Sequence, residues 1–543
     1  MLACTALVGC TSEDVVENNE TIEKGKAYVA VNIKTFDHSS RAAEGTYEDG
    51  VEAENAVTKA RFYFFDNGNA VTVSNAGNYV DVTDFTWSNY AGSSTSDPAE
   101  NETTDNNGNK KPGEIEEKSN VVVVLDPVNG ALPTQVAVVL NPPTSLTGSK
   151  NLSDLETLNA DYCTDLISSG SFVLSNSVYK DEVMGTKALA VALEDKNISS
   201  DRSIAQQNPI TVFVERVVAK VRVSSSDEDL TFDTGETTKI NDKEEAVNVK
   251  ILGWEINKKI NKSYLFKSID LSWTNTALGF TWNDAPYYRS YWANTPSEGT
   301  AFNETNTWNG IGKSLLASEV NYDYCQENTS GTETEVVVKA QLQDTGGDPL
   351  EIAEWYNEQY TVQGLKNKIA TTLANTFYTR TKTTNADGSE SYAYVSIEPG
   401  DIDFTTTTDN SVEDYEVIVT LSEAGKTKEF FAKGSTAEAG YSVEYVNGEL
   451  AKIQPARIWK NGQTYYYLPI KHLGSEGKLG EYGIVRNHIY DIKISAVSGL
   501  GTPVYKGDKA IITTTPDDVK AYIAAQVYIL SWRVVANDDV TLK

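Results

Sequence analysis

Few residues of this chain have the types and spacing that catalysis or metal binding requires. Histidine, the usual general base and metal ligand, occurs at His38, His472 and His488, and the last two lie in strand-like contexts that favour structural roles. Residues 312–314 (Gly-Lys-Ser) resemble the end of a phosphate-binding loop, but Thr307 stands where that loop needs its first glycine. We therefore expect no enzyme, no cofactor and no metal site.

The chain of 543 residues is strongly acidic. It has 77 Asp and Glu against 46 Lys and Arg, which gives a formal net charge of −31. A nucleic-acid-binding protein needs a basic surface, so we expect no nucleic-acid partner. Residues 105–109 carry the oxygen-rich side chains of a calcium loop, but Lys110 replaces the glycine that the turn of such a loop requires. We interpret that stretch as a solvated loop.

The first ten residues contain a cysteine in a distinctive position. They end in Leu7-Val8-Gly9-Cys10, which resembles a bacterial lipobox, and polar and acidic residues follow. In such signals the cysteine thiol is acylated and the residue becomes the new N-terminus. We therefore expect residues 1–10 to be a lipoprotein signal segment with lipidation at Cys10, which anchors the chain without spanning the membrane. The alternative is an ordinary signal core that happens to contain a cysteine.

Two further cysteines, Cys163 and Cys325, lie 162 positions apart in the sequence. They belong to no Cys-x-x-Cys motif and have no histidine nearby, so the spacing does not predict a metal site. A disulfide bond in an oxidising compartment and two buried free thiols both remain open, and free thiols are the default expectation.

Arg41 is the only arginine among the first 60 residues, and it follows a single strand-like run. In that run, at 27–34, Val29, Val31 and Ile33 alternate with smaller or polar residues, a pattern that predicts a half-buried strand. The polar stretch around Arg41 predicts an exposed loop. Arg41 is then either an ordinary surface cation or a protease site whose cleavage frees the strand.

Short apolar runs predict many further strands. They lie at 60–65, 121–125, 135–140 and 211–223 in the first half, and at 247–252, 335–342, 416–421, 463–468, 488–494 and 526–535 in the second. Helical patterns are confined to 153–168, with Ser153 as its cap, and to about 350–375. Many short strands between turn residues predict an all-β fold of antiparallel sandwiches. The polar stretch 224–246 suggests a domain boundary near residue 225.

Five segments together resemble one known family. They are Leu7-Val8-Gly9-Cys10, the junction Arg41-Ala42 behind a strand, 214–220 (Val-Glu-Arg-Val-Val-Ala-Lys), 485–490 (Val-Arg-Asn-His-Ile-Tyr) and 530–534 (Leu-Ser-Trp-Arg-Val). Each motif is short, but the set resembles the major fimbrillins of Bacteroidales, the shaft subunits of type V pili. Among these, the chain is most similar to the Mfa-type major subunits of minor fimbriae.

The resemblance implies two tandem transthyretin-like β-sandwich domains, which we place at 42–225 and 226–543. It also implies that residues 11–41 are a propeptide and that an arginine-specific protease cuts between Arg41 and Ala42. Copies of the chain would then polymerise by donor-strand exchange into a cell-surface fimbria, at the outer membrane, that supports adhesion and virulence. Accessory fimbrial subunits are further expected partners. The alternative within the family is that the chain is itself a tip or anchor subunit.

The residues support this assembly route on physical grounds. A strand removed from a sandwich leaves an apolar groove with unpaired backbone groups, and an incoming strand with alternating apolar residues satisfies both. The C-terminal run 526–535 has this alternation. Its candidate donor residues are Tyr528, Leu530, Trp532 and Val534. The alternative is that this run is a normal strand of its own domain.

A hypothesis from another class is a surface glycan-binding lipoprotein. The chain has 9 Trp and 29 Tyr, which could form platforms for sugar rings. One cluster contains Trp282, Tyr287, Tyr288, Tyr291 and Trp292. Core packing explains such aromatic residues equally well.

Overall fold

The computed structural model gives an all-β architecture with a few short helices, as the sequence predicts. The described residues are 27–35, 54, 56–85, 88–89, 117–126, 131–161, 167–168, 171–176, 189–240, 243–269, 293–305, 307–316, 318–328, 334–406, 416–472, 481–508, 522–530 and 535–536. Among them, no helix has the length and apolar character that crossing a bilayer demands.

The described part of the first half consists mainly of short strands, with two short helices of six residues each. The strands are β1 (Ala27–Thr35), β2 (Ala60–Asp66), β3 (Asn69–Ala70), β4 (Tyr79–Val82), β5 (Ser88–Asn89), β6 (Glu117–Leu125), β7 (Gln135–Leu140), β8 (Asn159–Asp161), β9 (Ile167–Ser168), β10 (Ser171–Phe172), β11 (Leu174–Asn176), β12 (Val191–Ala192), β13 (Ile198–Ser199) and β14 (Ile210–Arg216). The helices are α1 (Leu152–Thr157) and α2 (Arg202–Gln207). The strands predicted at 27–34, 60–65, 121–125 and 135–140 are confirmed as β1, β2, β6 and β7.

Eleven of these strands form one sheet. Its main order is β3-β2-β7-β11-β14-β1-β6-β5, with β4 paired to β2, β12 to β7 and β13 to β1. One hydrophobic core takes side chains from strands along the whole sheet, such as Val29, Phe62, Val123, Val138 and Val212. Because distant strands of the same sheet face one core, the sheet curls around that core.

The outer face of this sheet is also buried at β2 and β7. Tyr63 and Phe65 of β2 point away from the first core and pack in a second one with Leu155 of α1. Leu265 and Phe266, from the second half of the chain, complete this second core. Strand β2 is therefore covered on both sides, which explains why residues 62–65 are all aromatic rather than alternating with polar residues.

The second half contains more strands and three helices. The strands are β15 (Val218–Ser225), β16 (Thr231–Ile240), β17 (Lys243–Asn257), β18 (Lys259–Ile260), β19 (Lys262–Tyr264), β20 (Ala301–Phe302), β21 (Tyr322–Gln326), β22 (Glu335–Gln343), β23 (Ile352–Trp355), β24 (Glu358–Thr361), β25 (Tyr378–Thr384), β26 (Glu390–Ser396), β27 (Ile402–Thr406), β28 (Glu416–Leu421), β29 (Ala456–Trp459), β30 (Gln463–Pro469), β31 (Ile489–Ser498), β32 (Thr502–Pro503), β33 (Tyr522–Leu530) and β34 (Val535–Ala536). The helices are α3 (Val362–Thr372), α4 (Glu423–Lys426) and α5 (Val443–Leu450).

Two five-stranded sheets of this half form a sandwich. Their orders are β21-β15-β31-β33-β34 and β16-β17-β22-β30-β32. Val221 and Ile492 from the first sheet share a core with Val249, Trp254 and Val338 from the second. The sandwich predicted from alternating apolar runs is present here.

A module with its own core lies between β22 and β30. It contains the sheet β24-β23-β29-β28-β27, the hairpin β25-β26 and the helices α3 to α5. Leu365, Ile369, Val419, Val446 and Ile458 are among its fully buried residues. The sequence analysis placed residues 226–543 in one domain, and no shift in composition marks this inserted module.

The helix predicted over 350–375 is wrong in its first part. Ile352 and Trp355 lie in β23, which forms a hairpin with β24, and the helix α3 begins only at Val362. The Oγ1 atom of Thr361 accepts the N–H of Gly364 at 3.0 Å and so fixes the helix start. The three-residue spacing of Ile352 and Trp355 fits one face of a helix. In β23 the two side chains instead point to opposite faces and pack in different cores, Ile352 with the sandwich and Trp355 with the inserted module.

The helix predicted over 153–168 is also shorter than expected. It ends at Thr157, and its N-cap is Asn151 rather than Ser153. The carboxylate of Asp154 accepts the backbone N–H of Asn151 at 2.8 Å. Beyond the helix the chain extends into β8, which pairs with β19 from the second half. Tertiary pairing thus overrides the helical pattern.

The chain changes from one sheet to another at Val217. Strand β14 before this residue belongs to the eleven-stranded sheet, and β15 after it pairs with β21 and β31 of the sandwich. The single strand predicted at 211–223 is therefore two strands. The domain boundary predicted near residue 225 falls at the end of β15, one strand after the change of sheet.

Two of the segments that resemble fimbrillins, 214–220 and 485–490, lie side by side where the two halves of the chain join. Strand β15, from the segment 214–220, runs parallel to β31, which follows the segment 485–490. The backbone N–H of Asn487 donates to the carbonyl of Val218 at 2.8 Å, and that of Lys220 donates to the carbonyl of His488 at 2.9 Å. Motifs separated by about half of the sequence thus form one structural element.

Arg486 is the central side chain of this junction. It is fully buried and donates to the carbonyl oxygens of Leu265, at 3.0 Å, and Tyr264, at 2.6 Å. It also pairs with the buried carboxylate of Glu327 and lies 3.4 Å from the Oγ atom of Ser175 in β11. One guanidinium therefore ties strand β11 of the first half to two segments of the second.

We predict that Arg486→Ala destabilises the chain by about 3–5 kcal/mol, because it leaves Glu327 buried without its counter-charge. Chemical denaturation of the purified chain measures the effect. Arg457→Ala is the matched control, since that arginine is partly exposed in a pair with Glu354 and should contribute at most about 1 kcal/mol. Equal effects of the two substitutions would contradict the role of Arg486.

Candidate functional site

Strand β1 lies in the interior of the eleven-stranded sheet. It pairs antiparallel with β6 from Ala27 to Lys34 and parallel with β14 from Val31 to Thr35. Its first residues also pair with β13. The strand predicted to be removable is therefore hydrogen-bonded along both edges.

The inner face of β1 belongs to the core. Ala27, Val29 and Val31 are fully buried and pack in the same core as Phe62 and Phe64. Val29 and Val31 are thus buried as their spacing predicts, but Ala30 between them is buried too, so this part of the strand is not half-buried. For Ile33 the structure describes the backbone alone, which pairs with Ser119 and Val212.

The outer face of β1 is covered by the helix α2. Ala30 is 5% exposed, and the helix packs against β1 with its buried residue Ala205. The helix begins after Asp201, whose carboxylate accepts the N–H groups of Ser203 at 2.7 Å and Ile204 at 3.3 Å. The cap holds α2 in place, so β1 is enclosed on both faces at residues 29–31 and is paired on both edges.

Loss of β1 would leave an empty slot between β6 and β14, and the sheet with this slot empty would be unstable. Burial of a side chain such as Val29 or Val31 contributes roughly 1.5–3 kcal/mol. Each backbone N–H or C=O group left buried without a partner costs about 1–3 kcal/mol, and β6 and β14 would each lose a row of partners. The sum reaches the typical stability of a whole domain, about 5–15 kcal/mol. An emptied slot therefore favours entry of another strand.

The chain that follows β1 is anchored separately from it. Glu54, the next described residue, is fully buried, and its carboxylate lies 3.0 Å from the Nζ atom of Lys220. The hydroxyl of Tyr324 donates to the same carboxylate, and Arg216 donates to the Glu54 carbonyl at 3.2 Å. Burial and the neighbouring Glu54 charge raise the pKa of Tyr324, so its hydroxyl remains a donor. This anchor sits at the junction of the halves and uses no atom of β1.

The predicted cleavage junction lies between these two attachments. Arg41 and Ala42 fall outside the described residues, as does Cys10. In sequence order the lipidation site precedes β1, and the cleavage junction follows it. A cut between Arg41 and Ala42 would separate β1 from a body that keeps Glu54.

The candidate donor run lies in the sandwich of its own chain. Strand β33 pairs antiparallel with β31, with Tyr528 opposite Asp491 and Leu530 opposite Ile489. The short strand β34 follows it at the edge of the sheet. Trp532 and Val534 lie outside the described residues. In the single chain, then, β33 is a strand of its own domain, and its role as a donor stays a prediction.

The remaining candidate residues have structural environments. His472 contacts the hydroxyl of Tyr490 at 3.0 Å through its Nδ1 atom, and the Nδ1 atom of His488 lies 2.7 Å from the carbonyl of Arg486, all in buried positions. Cys325 is a buried free thiol, and burial raises its pKa to about 12, so it is not a nucleophile at neutral pH. Cys163 and the aromatic cluster at 282–292 lie outside the described residues.

One charged cluster was not found by sequence reasoning. The carboxylates of Glu255, Glu304 and Asp323 converge within 4.8 Å of one another. Lys259 lies 2.6 Å from Asp323 and 3.0 Å from Glu304, and Lys313 lies 2.9 Å from Glu255. Two ammonium groups occupy the positions where a cation would sit, so the cluster is an ion-pair network. No spacing in the sequence connects these five residues.

Residues 457–538 match a known family, described as major fimbrial subunit protein type IV, fimbrillin, C-terminal. The matched segment runs from β29 to β34 and contains the motif at 485–490 and the run 526–535. The match confirms the predicted resemblance to fimbrillins in the C-terminal part of the chain. No curated protein sequence matches the chain.

Several solved structures are similar to the chain at low identity. The fimbrilin FimA from Porphyromonas gingivalis W83 is 13% identical, with a TM-score of 0.31, over 94% of this chain and 99% of that one. The tip fimbrial protein Mfa3 from Porphyromonas gingivalis is 11% identical, with a TM-score of 0.28, over 93% and 100%. A fimbrial assembly protein from Parabacteroides distasonis ATCC 8503 is 10% identical, with a TM-score of 0.27, over 74% and 97%. Scores at this level carry no inference about function.

We predict that Val31→Ala lowers the free energy of unfolding of the intact chain by about 2 kcal/mol, because it removes two buried methyl groups and leaves a cavity in the core. Denaturant titration measures the change. Val124→Ala on the neighbouring strand β6 is the matched control, since Val124 is 42% exposed and should contribute little. A value for Val31→Ala as small as that of the control would show that β1 does not fill the core.

Proposed function

We propose that this protein is the polymerising structural subunit of a cell-surface fimbria that supports adhesion. The observation that carries the proposal is the position of β1, a central strand with Val29 and Val31 buried, which lies upstream of a single candidate protease site. The match of residues 457–538 to fimbrillins supports the same class. The chain is exported as a lipoprotein, cut after Arg41 by an arginine-specific protease and joined to further copies by strand exchange.

Before the cut, β1 protects the chain from polymerising. It is covalently linked to the sheet that it completes, so its effective concentration at the slot far exceeds that of a strand from another molecule. After the cut it is a separate peptide that dissociates and is diluted. The acyl group at Cys10 stays with this peptide, so the same cut releases the body from its lipid anchor.

The neighbouring copy then supplies the strand that refills the slot. The run 526–535 alternates apolar residues in the manner of β1. Among the described strands, β33 pairs with β31 on one edge and with the two-residue strand β34 on the other, so few backbone pairings beyond those with β31 hold it in its own sheet. In this exchange, residues 526–535 of one copy occupy the position of β1 in the next copy. Such a head-to-tail contact does not close on itself and therefore produces a filament. The anchored Glu54 keeps the remaining body folded through the exchange.

We predict that Arg41→Ala gives a chain that is exported but stays monomeric, because β1 remains covalently attached to its sheet. Treatment of purified precursor with an arginine-specific protease, followed by electron microscopy, measures the effect. The wild-type chain should form fibres, and N-terminal sequencing of its product should begin at Ala42. Arg202→Ala, at an exposed arginine of α2, is the control and should polymerise normally. Fibres of normal length from Arg41→Ala would contradict the proposal.

We predict that deletion of 526–543 gives a subunit that accepts a donor strand but cannot pass one on. Mixed with cleaved wild-type chains, it should shorten fibres in proportion to its share of the mixture. Because the deletion also removes part of β33, Trp532→Asp combined with Val534→Asp serves as a second variant that leaves β33 intact. Fibre length by electron microscopy is the measurement. If both variants elongate like the wild type, the donor lies elsewhere in the chain.

A further inference from the structure

A polar groove lies between the sandwich and the inserted module. It has a volume of about 820 Å³ and is lined by β16 and β17 on one side and by β24 and α3 on the other. This size is in the range of small-ligand sites, about 300–1,000 Å³. Neither the fimbrial assembly route nor the fimbrillin match uses this groove.

The lining of the groove consists mainly of amides and hydroxyls. Asn357, Gln359, Gln363 and Asn367 contribute side-chain amides, and threonines contribute hydroxyls. Such groups both donate and accept hydrogen bonds, as the hydroxyl groups of a sugar do. An apolar pocket for a hydrophobic peptide side chain is missing from this lining.

An exposed aromatic ring stands at the turn that enters the groove. Tyr356 and Asn357 form the two-residue turn between β23 and β24, and both have left-handed backbones, with φ of 51° and 62°. Asn tolerates this conformation, whereas Tyr adopts it rarely. The Tyr356 ring is 66% exposed and packs edge-on against Trp355, at 4.6 Å between centroids. Backbone strain that holds an aromatic ring in solvent is typical of a binding position.

The charge of the groove selects among glycans. Lys239 contributes one positive charge to the lining, against the carboxylates of Glu244 and Glu358. The whole chain carries a net charge of −31. Both features disfavour sialylated or otherwise anionic sugars.

We infer that this groove binds a neutral oligosaccharide. One face of a sugar ring packs on Tyr356, while its hydroxyl groups bond to the amides of Asn357, Gln363 and Asn367. If the groove binds neutral oligosaccharides, these are the ligands to which the proposed fimbria adheres. Only this role in adhesion rests on the proposed function. Binding by the uncut monomer is independent of fibre formation, so the two proposals fail separately.

The test is binding of the purified full-length monomer to a printed array of neutral and sialylated oligosaccharides, followed by titration calorimetry with the best neutral oligosaccharide. Gln363→Ala combined with Asn367→Ala should weaken binding at least tenfold, because it removes two amides from the groove. Tyr356→Gly should also weaken it, without loss of folding, because glycine relieves the strain of the turn. Thr372→Ala, at an exposed threonine outside the groove on the same helix, is the control and should bind like the wild type.

Three results would overturn the inference. They are no neutral oligosaccharide bound above background, binding confined to sialylated sugars, and equal affinity of the wild type and the Gln363→Ala, Asn367→Ala variant. Thermal unfolding of each variant shows whether a loss of binding reflects a loss of folding. Fibre formation is measured on the same preparations, so that a failure of oligosaccharide binding is distinguished from a failure of the assembly proposal.

Discussion

A strand inside a sheet must have hydrogen-bonding partners on both edges, and the strands beside it have the same need. Strand β1 meets this condition between β6 and β14, with Val29 and Val31 turned into the core. Its neighbours therefore depend on β1 for their backbone hydrogen bonds. In the proposed assembly route a cut after Arg41 detaches β1, and association follows because another strand can pair with the exposed edges and fill the emptied part of the core.

Detachment of β1 is useful only if the rest of the chain remains folded. The contacts at the junction of the halves provide for this. Glu54 is held by Lys220, Arg216 and Tyr324, and Arg486 ties β11 to the sandwich, and none of these contacts involves β1. The ion pairs are buried, so salt screens them weakly. In the proposed assembly route, the junction of the halves can therefore stay unchanged when β1 leaves.

The sequence predicts the all-β class and the strands with strong alternation because burial on one face leaves a two-residue period. The same reasoning failed where a short pattern fits two structures. Ile352 and Trp355 fit a helix by spacing, yet they lie in a hairpin, and Val217 continues an apolar run across a change of sheet. Of the candidate site, Val29 and Val31 were predictable. The Glu54 anchor was not, because its partners lie far away in sequence and no local pattern records them.

The most direct test of the account is a structure of the fibre grown from cleaved chains, by electron cryomicroscopy. The account predicts that the position between β6 and β14 holds residues 526–535 of a neighbouring copy and that residues 27–35 are absent from the fibre. Copies packed side by side, each with its own residues 27–35 still between β6 and β14, would contradict it.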